Sequence, residues 1–269
     1  MRGCFYMEEK VMIKAVFFDI DGTLIPLGSK QMSAETIQAL KELKERGIKI
    51  FLASGRGVRE LGVITKDVSF DGYITLNGQI CLGEDFELYY GNPIHADDLK
   101  VLLKIFEEKK LHAVIIEEKR SYINFIDDVA EKIHQEIGVK ASPIESYEGD
   151  AVYQVILYAD AVYAEELFQE LPHCKWSRWH PKGIDVFSKD GGKVTGIQKT
   201  LEHFDIKQEE TMAFGDGDND VDMLKFVQIG VAMGNAQEQT KEAADYVTGT
   251  TEEGGITKAL KHFELIQNN

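Results

Sequence analysis

The chain has 269 residues, room for one large domain or two smaller ones. Its 43% hydrophobic and 28% charged residues are the composition of a folded globular protein, and no apolar run is long enough to cross a bilayer. A net charge of -16 and a pI near 4.9 argue against nucleic acid or an anionic membrane as partner.

Residues 1–10 lack the apolar stretch of a signal peptide, which points to a cytoplasmic protein whose true start is Met1, Met7 or Met12. Cys4, Cys81 and Cys174 are too few and too scattered for a disulfide framework or a zinc site, so they read as incidental or buried thiols. The first structural signal is the apolar run at 13–18, which predicts a buried parallel strand. It ends in Asp19-Ile20-Asp21-Gly22-Thr23. Acids at i and i+2 beyond a strand can point the same way, and Gly22 lets the chain turn sharply. Ser33 is the expected N-cap of the next helix, with Glu35 in its first turn. Ile37, Leu40 and Leu43 form its apolar stripe, and Gly47 ends it. Residues 48–53 and 73–76 read as the second and third strands. Strand–helix–strand repetition predicts a parallel sheet with right-handed crossovers.

The character changes near residue 82. Strands are expected at 87–90, 113–116 and 153–157, and helices at 99–106, 129–137 and 164–171. This is enough chain for a separate α/β domain, inserted over 82–185. From 186 the first pattern resumes, with a helix running from Lys193 to about His203 and strands at 211–214 and 228–232. The first domain is then discontinuous, 1–81 and 186–269.

Four segments stand where a strand gives way to a loop or a helix begins. They are Asp19 to Thr23, Ser54-Gly55-Arg56, Gly191-Gly192-Lys193, and Gly215-Asp216-Gly217-Asp218-Asn219-Asp220. In an open parallel sheet the carboxyl ends of the strands form the ligand crevice, and all four segments are expected there. Asp19, Asp21 and Asp216 offer hard oxygens for Mg²⁺. Ser54 offers a hydroxyl, Gly55 an open N–H, and Lys193 a charge beside a helix N-terminus. A cation, a lysine, a hydroxyl and free N–H groups describe a phosphoryl site. A calcium loop is the competing pattern for both acidic segments. It fails because Val221 and Leu24 occupy the glycine positions and Val227 the glutamate position. Asp218 and Asp222 read as surface acids or helix N-terminal charges.

On those four segments, and on Thr75-Leu76-Asn77-Gly78, the chain resembles the haloacid dehalogenase (HAD) superfamily of aspartate-nucleophile phosphatases. Within it the Cof-type branch with an α/β (type IIB) cap is the nearest match. The resemblance implies a Rossmann-like core and a cytoplasmic, Mg²⁺-dependent phosphoric monoester hydrolase acting on a sugar phosphate or related metabolite. It implies Asp19 as nucleophile and Asp21 as acid/base. Asp19, the Asp21 carbonyl and Asp216 would hold the metal, and Ile20, Ser54, Gly55, Lys193 and Asn219 the phosphate. Asp220 would orient Lys193 or the metal shell, and Arg56 would contact substrate or brace the cap. Asn77 is expected to fix a turn. Trp176, Arg178, Trp179 and His180 are expected to form a packed strand rather than a substrate patch. The partner is a small phosphorylated metabolite, and the state is monomer or weak homo-oligomer. A phosphotransferase or mutase using the same aspartyl-phosphate, and a non-enzymatic receiver, remain open beside it. An oxidoreductase binding a dinucleotide lacks its Gly-x-Gly-x-x-Gly turn after the first strand.

Overall fold

Ala15-Val16-Phe17-Phe18 are fully buried and form the strand β1 (Ala15–Phe18). The computed structural model describes residues 12–29, 31–137 and 140–267. Cys4 and the alternative start Met7 lie outside them. After β1 come α1 (Ala34–Glu45), β2 (Lys49–Ala53), α2 (Gly62–Thr65), β3 (Gly72–Thr75), β4 (Ile80–Gly83) and β5 (Leu88–Gly91). The middle of the chain forms α3 (Ala96–Glu108), β6 (Ala113–Glu117), β7 (Ser121–Ile123), α4 (Asp128–Ile137), β8 (Val152–Leu157), α5 (Ala161–Leu167), β9 (Cys174–His180) and β10 (Gly183–Ser188). The last part forms α6 (Lys193–Phe204), β11 (Thr211–Gly215), α7 (Val221–Phe226), β12 (Ile229–Ala232), α8 (Glu238–Ala243), β13 (Tyr246–Val247) and α9 (Gly255–His262).

The chain divides into two compact units. The first holds the described residues up to Ala53, Gly62–Tyr73 and those from Ile197 onward. The second holds Ser54–Leu61 and Ile74–Gly196. Residues 54–61, 74–81 and 186–196, which the sequence reading places in the core domain, cluster here with the inserted segment. Local bonds hold them together. Leu76 N donates to Arg56 O, Asn77 N to Ser54 O, and Gln79 Nε2 to Ser188 O.

The first unit is built on strands in the order β13-β12-β11-β1-β2-β3. From β13 to β2 every pair is parallel. Phe17 stacks on Phe51 of β2 at 5.0 Å, and Phe18 on Phe214 of β11 at 5.1 Å. Strands buried on both faces are apolar throughout, so their polar chemistry is displaced to their ends. Ser33 caps α1 as expected, accepting from Thr36 N at 3.0 Å. Gly47 closes it at φ +77°. Leu40 and Leu43 are buried, while Ile37 is only half-buried and Thr36 and Ala39 take its place.

The second unit carries a five-stranded sheet in the order β7-β6-β8-β10-β9, and each neighbouring pair is antiparallel. Ala113, Ile115, Val155, Leu157, Ile184 and Val186 form one apolar face, packed with Leu102, Phe106, Ala164 and Leu167 of α3 and α5. β4 and β5 pair antiparallel as a hairpin. Trp176 and Arg178 lie within strand β9, as the sequence reading expects. Leu76 does not extend β3: it turns out of the strand at φ +51°, followed by Asn77 at φ +53° and Gly78 at φ +86°.

Candidate active site

Parallel pairing places the two acidic segments together. Phe18 of β1 is in register with Phe214 of β11, so the residues that follow leave the sheet at the same edge. Asp19 N donates to Phe214 O at 3.0 Å. Asp216 lies one residue beyond the end of β11. Asp19, Asp216 and Asp220 each offer a carboxylate oxygen within 4.8 Å of the others. All three are buried, Asp19 at 7%, Asp216 at 9% and Asp220 at 0% exposure.

The turn after Asp19 is shaped to fit Asp216. Gly22 N donates to Ile25 O and Ile25 N to Ile20 O, closing a tight loop. Gly22 sits at φ +85°, and a Cβ there would stand 2.0 Å from Asp216 Oδ2. Only glycine accepts both conditions. Thr23 Oγ1 donates to Asp216 Oδ1 at 2.8 Å, and Asn235 Nδ2 to Gly22 O at 2.8 Å and Asp216 Oδ2 at 3.4 Å. Thr251 Oγ1 also donates to Gly22 O, and Thr251 N to Asn235 Oδ1 at 3.0 Å. Asp220 braces its own loop, with Oδ2 accepting from Asp216 N and Gly217 N at 3.0 Å each. Asp21 and Asn219 are exposed at the surface of this cluster.

Three buried carboxylates are expensive to hold together unless a cation shares them. Their hard oxygens, those of Asp216 and Asp220 tied by neighbouring donors, suit an oxygen-seeking divalent ion. The residues present therefore fit the metal that the sequence pattern implies.

Ser54, Gly55, Arg56 and Lys193 belong to the second unit. Ser54 is 2% exposed, and its hydroxyl accepts from Arg56 N at 3.1 Å. Asn77 lies in a turn at φ +53°, and its N–H donates to Ser54 O at 3.0 Å. Lys193 opens α6 and is 4% exposed. The loop before it is held by Lys175 Nζ, which donates to Gly191 O at 2.5 Å. A Cβ on Gly78 would lie 2.0 Å from Gly192 O, so these two turns pack backbone to backbone.

The sequence reading assigned no role to Thr23, Asn235 or Thr251. Asn235 had a usable signal, since Met233-Gly234-Asn235 follows β12 at the same edge of the parallel sheet. Thr251 had none, because its loop precedes a helix and follows only the two-residue β13.

Residues 16–260 match the family of haloacid dehalogenase-like hydrolases. The chain belongs to that family. Within it, the chain is a Cof-type phosphatase homologue. It is 33% identical to YkrA of Bacillus subtilis (strain 168) over 258 residues, 94% of this chain and 99% of YkrA. Two solved structures match over nearly the whole fold. BT1666 of Bacteroides thetaiotaomicron, described among phosphatases of the HAD superfamily, is 33% identical with a TM-score of 0.87, covering 96% of this chain and 98% of its own. The HAD subclass IIB sugar phosphatase BT4131 is 38% identical with a TM-score of 0.81, covering 94% of this chain and 100% of its own. No helix among the described residues is long and apolar enough to cross a membrane.

Proposed function

We propose that the protein is a Mg²⁺-dependent phosphatase that hydrolyses a small phosphomonoester of the sugar-phosphate class through an aspartyl-phosphate on Asp19. The observation that carries this reading is the cluster of Asp19, Asp216 and Asp220 at the ends of adjacent parallel strands. Support for the substrate class comes from the likeness to BT4131, a sugar phosphatase.

An Asp19 oxygen attacks phosphorus, and the bond from phosphorus to the ester oxygen breaks. Asp21, exposed beside the cluster, gives its proton to the leaving oxygen. A water then attacks the same phosphorus, Asp21 takes its proton, and Asp19 is released with inorganic phosphate. In this reading the Ile20 and Gly55 N–H groups, Ser54, Lys193 and Asn219 hold the phosphoryl oxygens. Asp19, the Asp21 carbonyl and Asp216 would hold Mg²⁺, whose charge offsets repulsion between carboxylate and phosphate. Residues 82–185 act as a cap that excludes water and selects small substrates. Arg56 contacts substrate or braces that cap. The enzyme works in the cytoplasm as a monomer or weak homo-oligomer.

The test is a panel of phosphorylated metabolites ranked by kcat/KM, with Mg²⁺ and with chelator. Sugar phosphates should lead, and chelation should abolish turnover. Asp19→Asn should lose roughly 10⁴-fold or more in kcat. Normal activity in pure Asp19→Asn protein would overturn the assignment.

A further inference from the structure

The second unit holds a separate cluster of metal-ligating side chains, at the junction of α3 with the turn before β9. His95, Asp98 and His173 each present one donor atom within 4.8 Å of the other two. Asp98 stands in the first turn of α3 and is 1% exposed. Its Oδ1 lies 2.9 Å from His173 Nδ1, and its Oδ2 accepts from His173 N at 2.8 Å. The two imidazoles stack with centroids 4.1 Å apart. Their side chains remain accessible, His95 at 51% and His173 at 41%.

We propose that His95, Asp98 and His173 form a binding site for a Zn²⁺-class transition-metal ion, distinct from the carboxylate cluster of the first unit. The ligand chemistry differs between the two. The first unit offers carboxylates alone, which suit a hard ion. This cluster offers two imidazoles and one carboxylate, the donor set that borderline ions take with water in the fourth position. The 2.9 Å between Asp98 Oδ1 and His173 Nδ1 needs to open by only a few tenths of an ångström to reach the roughly 3.3 Å separating neighbouring ligands around a tetrahedral ion bonded at about 2.0–2.1 Å. Metal and proton are therefore alternatives at His173 Nδ1, and the neutral ring that binds the ion there carries its proton on Nε2. The backbone bond from His173 N anchors Asp98 from behind, fixing one ligand before the ion arrives. Stacked rings do not aim two lone pairs at one point. His95, the more exposed ring, turns out of the stack to complete the site. His95→Ala should then weaken binding less than His173→Ala.

The experiment is a calorimetric Zn²⁺ titration of the full chain in saturating Mg²⁺, with melting temperature followed in parallel. Wild type should bind one Zn²⁺ and melt higher with it. Asp216→Ala, which removes the first cluster, should keep that event. His173→Ala should weaken it by more than about tenfold, and His95→Ala by a smaller factor. Circular dichroism on each variant separates lost binding from lost folding, because His95→Ala also removes the ring nitrogen that accepts from Asp97 N at the start of α3. Zn²⁺ uptake that vanishes in Asp216→Ala, or affinities unchanged in both histidine variants, would overturn the proposal.

Discussion

The two units organise polar groups in opposite ways. In the first, parallel strands are apolar along their length, and the acids gather beyond the strand ends at one edge. In the second, antiparallel strands bury one face, and charged groups are bound into local networks between strands. Glu117 is the example. It is 5% exposed, accepts from Tyr122 Oη at 2.7 Å, and pairs with Arg120 Nε at 2.7 Å. The first arrangement concentrates like charge and spends stability on chemistry. The second neutralises charge and gains rigidity. Substitutions among the acids at the strand ends of the first unit should therefore cost turnover beyond any cost in stability, and those within the five-stranded sheet of the second, which excludes Ser54, Gly55 and Lys193, should do the reverse.

The largest effect after loss of the nucleophile is expected at Gly22. Gly22→Ala forces a Cβ against Asp216 in a left-handed conformation. It should destabilise by about 1–3 kcal/mol and lower kcat by about 100-fold, seen by urea melts beside steady-state kinetics. A stable, fully active Gly22→Ala would show that this turn does not position Asp216. Next comes Asp220→Ala, which strips the acceptor from Asp216 N and Gly217 N. A fall of about 10–100-fold in kcat, with a raised Mg²⁺ requirement, is expected from activity measured across a metal titration.

Tyr122→Phe probes the other side of the comparison. It should cost about 1–3 kcal/mol in chemical denaturation, for one bond to a charged group, with kcat unchanged. A drop in kcat at constant KM would blur the contrast between the units.

The smallest effect concerns His134, 8% exposed, whose Nε2 lies 2.7 Å from Tyr158 Oη. Burial first, then the nearby His112 charge, hold its pKa below the ordinary histidine value. The folded state therefore binds this proton less readily than the unfolded chain. Its stabilising share is present above pH ~6.5 and is lost as pH falls through the lower folded value. Melting temperature should fall between pH 7 and pH 5, and His134→Gln should flatten that slope.

The contrast also explains what the sequence made legible. Strands 13–18, 48–53 and 211–214 were readable because buried parallel strands are continuous apolar runs. The acids after them stood out against that background. The bounds of α3 were underestimated by three residues at its start, because His95 caps it with a ring nitrogen rather than a hydroxyl or carboxylate. β7 has only three residues, too short for alternation to register. Leu76 reads as strand by composition, yet three successive positive φ values turn the chain there. Thr251 was unreadable as a site residue because its role is to bond a backbone carbonyl, Gly22 O, more than 200 positions earlier, and Asn235, which bonds the same carbonyl, was marked only by its place after β12.

That long reach has a consequence for biosynthesis. β1 is flanked by β2 on one side and β11 on the other. During translation the first neighbour emerges early, while the second is delayed until the ribosome has passed residue 215. Until then the growing polypeptide presents an unzipped strand edge, a hazard for chaperones to cover. Neither Asp216 nor Asn235 exists at that stage to complete the carboxylate cluster. On the proposed mechanism a nascent chain is thus catalytically silent through most of its synthesis, and armed only by its final quarter.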